Sequence, residues 1–73
     1  MTTAARRYSR HRWLVYGKIG MLTATTHALS GLSDLVPATR RHVDEATIAL
    51  DNLRLILIEH LREMKATGSW RKL

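Results

Sequence analysis

Seventy-three residues with twelve Lys and Arg, six Asp and Glu and no Cys make a small basic chain of net charge +6, without disulfides or thiolate metal ligands. A domain of this size buries only about 60% of the surface that its unfolded chain exposes. With disulfides excluded, its stability is expected to draw on self-association or a larger assembly.

Positive charge collects at the two ends. Arg6, Arg7, Arg10, Arg12 and Lys18 lie in a stretch without any acid, and Arg71 and Lys72 close the chain, whereas residues 34–66 are nearly balanced. Residues 1–9 read as a basic arm, with Ser9 placed to cap a first helix over 10–31. From Arg10 onward Leu14, Met21, Ala28 and Leu35 recur every seven residues, with Gly17, Ala24 and Gly31 between them. The seam has helical period and alternates large with small side chains. Gly17 and Gly20 each cost about 1 kcal/mol relative to Ala inside a helix, so another backbone is expected to approach them closely.

The stretch from Trp13 to Leu32 has the length of a membrane span. It is interrupted by Lys18, Thr23, Thr25, Thr26, His27 and Ser30, and a span wants about 20 predominantly apolar residues, so crossing is not expected. A secretory cleavage near Ala28 would leave only a fragment of the domain, which argues against a signal peptide.

Residues 32–38 form the expected turn. Gly31 suits a left-handed helix end, Ser33 or Asp34 a cap, and Pro37 a first-turn position. A second helix over 39–67 follows, without internal Pro or Gly, ending at Gly68 before a basic tail over 68–73. Its seam runs Val43, Leu50, Leu57 and Met64, with Ala46, Leu53 and His60 between. Folding back antiparallel brings residues whose numbers sum to about 71 level, setting Leu14 by Leu57, Met21 by Leu50, Ala28 by Val43 and His11 near His60. The fold class is therefore all-α: an antiparallel two-helix hairpin, completed into a helical bundle by oligomerisation or a partner.

One seam does not use all the apolar residues. Leu53, Leu55, Ile56, Leu57 and Ile58 are broken only by Arg54, and Ile48 and Ala49 extend the surplus upstream. An unpartnered apolar patch marks an interface. Ile48, Leu53, Leu55, Ile56 and Ile58, with Trp13 and Trp70, are the candidate interface residues, and a dimer of hairpins forming a four-helix bundle is the simplest way to cover them.

Catalytic and metal chemistry are weakly represented. His42–Glu45 and His60–Glu63 are both His-x-x-Glu pairs, but eighteen residues separate them by about 27 Å along a helix. The first helix contributes no carboxylate, and the threonines assemble no activated nucleophile. No catalytic residue, metal ligand or cofactor is assigned, and His60 reads as structural.

The basic ends are a better lead. Arg6, Arg7, Arg10, Arg12 and Lys18, punctuated by Tyr8, His11 and Trp13, combine phosphate-binding charge with rings. A closed hairpin would add Arg71 and Lys72. The leading expectation is a non-catalytic structural or assembly protein, a homo-oligomer or subunit of a larger complex, whose basic end meets an acidic or phosphate-bearing partner in the cytoplasm, a virion or another intracellular assembly. The rival is a small DNA- or RNA-binding protein gripping backbone phosphates. A third expectation is a membrane-surface protein anchored by Trp13, Tyr16 and Trp70.

Overall fold

Thr2 opens the first helix. Its Oγ1 accepts the Ala5 backbone N–H at 3.1 Å, and α1 runs over Thr3–Leu29 in the computed structural model, which describes residues 2–73. The arm expected over residues 1–9 is thus helical from Thr3; Met1 lies outside the described residues. A side-chain cap, which contributes about 1 kcal/mol, followed by Ala4, Ala5, Arg6 and Arg7, good helix formers all, starts the helix two turns earlier than a cap at Ser9 would.

α1 stops at Leu29, and Ser30 turns extended. Gly31 takes the left-handed conformation expected of it, at φ 81°. The connection is more ordered than a plain turn. A single helical turn, α2, spans Leu32–Leu35, and a 3₁₀ turn spans Pro37–Thr39 with Pro37 in its first turn. Ser33 and Asp34 fall inside α2 and do not cap the long second helix. Thr39 stands at that end instead, without a side-chain cap bond, its hydroxyl donating to the Val36 carbonyl at 2.7 Å.

α3 spans Arg40–Thr67 and ends on Gly68 at φ 72°. A second 3₁₀ turn, Ser69–Lys72, swings the tail back onto α1. Arg7 Nη1 donates to the Leu73 carbonyl at 3.1 Å, and Trp70 packs on Tyr8 with ring centroids 5.5 Å apart.

The result is an all-α hairpin. Its Cα extents are 53 × 18 × 12 Å and its radius of gyration is 16.5 Å, against about 11 Å for a globule of this length. Two helices side by side make a single layer, and a single layer has little inside. Val15, Leu61 and Met64 form the buried core.

The antiparallel register is the one expected, since His11 and His60 lie level, their Nε2 atoms 2.8 Å apart. The facing side of α1 is not. Val15, Ile19, Leu22, Thr26 and Leu29 turn toward α3, whereas Leu14 and Met21 are each 61% exposed. The expected α1 seam is therefore displaced by one residue. Both sets repeat at helical period, and the β-branched and longer aliphatic set, free of glycine, fills the groove better than one alternating with Gly and Ala. Leu35 sits in α2, and a Cβ added to Gly17 or Gly20 would meet nothing within 4 Å. No backbone approaches them.

On α3, Val43, Leu50, Leu57 and Met64 do face inward, but the positions between them are Ala46, Thr47, Arg54 and Leu61. Leu53, expected in the seam, is 48% exposed.

Candidate functional site

Three features stand out: an apolar edge, a basic open end and a cleft between the helices. The edge is defined by the His11–His60 contact. Along α1 from His11, Leu14, Lys18 and Met21 follow at three, seven and ten residues; along α3 from His60, Ile56 and Leu53 precede at four and seven. These spacings keep each set on one side of its helix. Leu14, Met21, Leu53 and Ile56 are all exposed and form one two-helix apolar edge, with Lys18 as its single formal charge.

The other candidate interface residues fall elsewhere. Ile48 and Leu55, seven apart and exposed, lie on the back of α3. Ile58 lines the cleft on the opposite side of the hairpin. Trp13, 78% exposed, borders a depression of about 350 Å³ with Ser9, Arg12 and Tyr16. Trp70 is half-buried against Tyr8 and is already used by the chain's own tail.

The open end gathers the basic residues as the hairpin closes. Arg7 holds the last carbonyl and shares a shallow cleft with Arg10, His11, Leu14 and Leu73. Arg71 lies over the Trp70 ring at 5.2 Å, and Arg12 lies over both Tyr8 and Tyr16, at 5.7 and 5.9 Å. Arg6 and Lys72 are exposed, and Lys18 stands further along α1 on the His11 edge. The seven basic residues singled out from sequence thus occupy one half of the molecule without converging on one point.

Three of the six acids are engaged on their own helix. Glu45, Asp51 and Glu59 pair with Arg41, Arg54 and Arg62 at 3.1, 3.3 and 3.0 Å. Glu63, on the His60 side, is in no ion pair among the described residues.

No family model, curated protein or solved structure matches this chain. The reading of function therefore rests on its own residues.

The Thr23, Thr25 and Thr26 hydroxyls each donate to the carbonyl four residues back, at 2.9 to 3.0 Å, the usual fate of threonine within a helix. Among the described residues no three His, Asp or Glu side chains group as metal ligands, and no helix is long and apolar enough to cross a membrane.

Sequence reading missed a cleft of about 220 Å³ lined by Tyr8, Arg12, Tyr16, Ile58, Leu61, Arg62 and Lys65. Neither Arg62 nor Lys65 was among the basic residues singled out from the sequence. Their spacing of three, and the level register that sets them opposite Arg12 and Tyr8, is the signal that finds it.

Proposed function

We propose that the protein is a non-catalytic assembly module that docks through the Leu14–Met21–Leu53–Ile56 edge onto a second copy of itself, leaving the basic end free for an acidic or phosphate-bearing partner. One observation carries the reading: a hairpin with three buried hydrophobic residues leaves four large aliphatic side chains together on one exposed edge. A large aliphatic side chain moved fully out of water contributes about 1.5–3 kcal/mol; with these about half to two-thirds exposed, the eight across a two-fold interface contribute about 7–14 kcal/mol, of the same order as an association cost of about 4–15 kcal/mol.

Charge permits a second copy: α1 carries five bases and no acid, while α3 is balanced, with Asp44, Glu45, Asp51, Glu59 and Glu63 set against Arg40, Arg41, Arg54, Arg62 and Lys65. A two-fold axis running along the helices lays α1 of one hairpin on α3 of the other, antiparallel, and gives an up-down-up-down bundle. The unpaired Glu63 of one copy then lies about level with Arg10 of the other. Lys18 can run its aliphatic stem along the edge and carry its ammonium to the rim.

Light scattering on a size-exclusion column tests this across about 10 µM to 1 mM protein. A mass twice that of the chain supports it. A well-folded monomer at the highest concentration overturns it.

A further inference from the structure

We propose that the cleft between α1 and α3 at the open end binds the phosphodiester backbone of a single-stranded nucleic acid through Arg12, Arg62 and Lys65. The inference rests on the reading of the basic end as a phosphate-binding surface, and names the residues and the ligand.

The lining holds three cations and no carboxylate: Arg12 from α1, and Arg62 and Lys65 one turn apart on α3. Ile58 and the buried Leu61 form the apolar floor between them. Glu59 engages Arg62 through Nη1 alone, and a guanidinium has four further N–H groups to offer. Both partners of that pair are largely exposed, so a phosphate dianion or diester competes with it readily.

Size narrows the ligand. About 220 Å³ lies below the range of about 300–1,000 Å³ for pockets that enclose whole small molecules. It suits a phosphate group that is part of something larger lying across the surface.

The surroundings say what that larger molecule is. Arg71, Trp70, Tyr8, Arg12 and Tyr16 form an unbroken ladder of two cations and three rings, with successive separations of 5.2, 5.5, 5.7 and 5.9 Å. The ladder begins in the tail, which the Arg7 bond to Leu73 pins to α1, and it ends at Tyr16, half of whose surface is open. Cations that track a backbone beside rings that receive bases are how single strands are held without sequence preference. A lipid surface could also seat Tyr16 and Trp70 at headgroup level, and the vesicle arm of the test separates it from a single strand. Arg12 is itself held between two rings, which fixes a long side chain before any ligand arrives.

The test is fluorescence anisotropy with labelled dT and rU oligonucleotides of about 15 nucleotides, across a salt series, run beside sedimentation with phosphatidylserine vesicles. A triple variant, Arg12→Gln, Arg62→Gln and Lys65→Gln, is compared with a control of equal charge, Arg6→Gln, Arg10→Gln and Lys72→Gln. Circular dichroism confirms that both are helical, and the single variants Arg62→Gln and Lys65→Gln, at solvated positions, serve if the triple is not. The expected result is a loss of tenfold or more for the cleft triple, at least threefold beyond that of the control, with a shallower salt slope. Equal losses in both triples would overturn the cleft while leaving the basic end as a phosphate-binding surface. Absence of oligonucleotide binding by the native chain, or binding to vesicles alone, would overturn the nucleic-acid assignment itself.

Discussion

His11 Nε2 lies 2.8 Å from His60 Nε2, the two rings edge to face with centroids 5.1 Å apart. This contact joins residues 49 positions apart and fixes the register of the hairpin at its open half. It is also a hydrogen bond with a narrow chemical condition. One imidazole must donate and the other accept, so at most one ring can carry a proton on both nitrogens.

Breaking the pair from either side leaves the partner imidazole without this bond. His11→Leu or His60→Leu is expected to cost about 1 kcal/mol, and the double variant no more than the two changes counted once, since both single changes remove the same bond. Urea denaturation of the native chain and the three variants measures it, and strictly additive losses would show that the bond does not contribute.

The same pair shows what was legible in the sequence. Helix existence, the Gly68 stop, the left-handed Gly31 and the level register all follow from local chemistry and a seven-residue period. Azimuth does not follow so directly. Val15, Leu22 and Leu29 repeat with the same period as Leu14, Met21 and Ala28, so period alone cannot choose between them; volume and branching against α3 do. An offset of one residue on α1 was enough to exchange the packed face for the exposed edge. The cleft was harder still to read, because Arg62 and Lys65 acquire meaning only when Arg12 and two tyrosines from the other helix stand opposite.

Arg54 occupies a seam position where a leucine would pack. Its side chain is 34% exposed and pairs with Asp51, but its Nε is buried without a hydrogen-bond partner. A buried unsatisfied donor costs about 1–3 kcal/mol. Arg54→Leu is expected to raise the midpoint of thermal unfolding, by an amount equivalent to about 1 kcal/mol. A lower midpoint would mean that the Asp51 pair outweighs the orphaned donor.

Gly20 lies mid-helix with open space where a Cβ would go. Nothing in the hairpin opposes a methyl group there, and Ala is about 1 kcal/mol better than Gly in a helix interior. Gly20→Ala should stabilise the protein by up to that amount in denaturant unfolding. If it destabilises instead, a surface absent from the isolated hairpin approaches that backbone, and comparing dilute with concentrated samples identifies a second copy as its source.

The apolar edge makes opposite predictions for two substitutions a turn apart. Leu14 is exposed in the hairpin, so Leu14→Glu costs the monomer little, while in the proposed bundle it places a carboxylate in the centre of the interface, a change of several kcal/mol in association. Its far-ultraviolet spectrum should stay helical at concentrations where its mass falls to that of one chain. Lys18→Met works the other way. It removes the one formal charge from the edge and adds apolar area without lengthening the side chain, so dimerisation should tighten by about tenfold, equivalent to about 1.4 kcal/mol. Sedimentation equilibrium of the native chain and both variants reads the two effects on one scale. Weakening by the first together with tightening by the second is specific to this edge, because a dimer formed through Ile48 and Leu55 on the back of α3 would respond to neither.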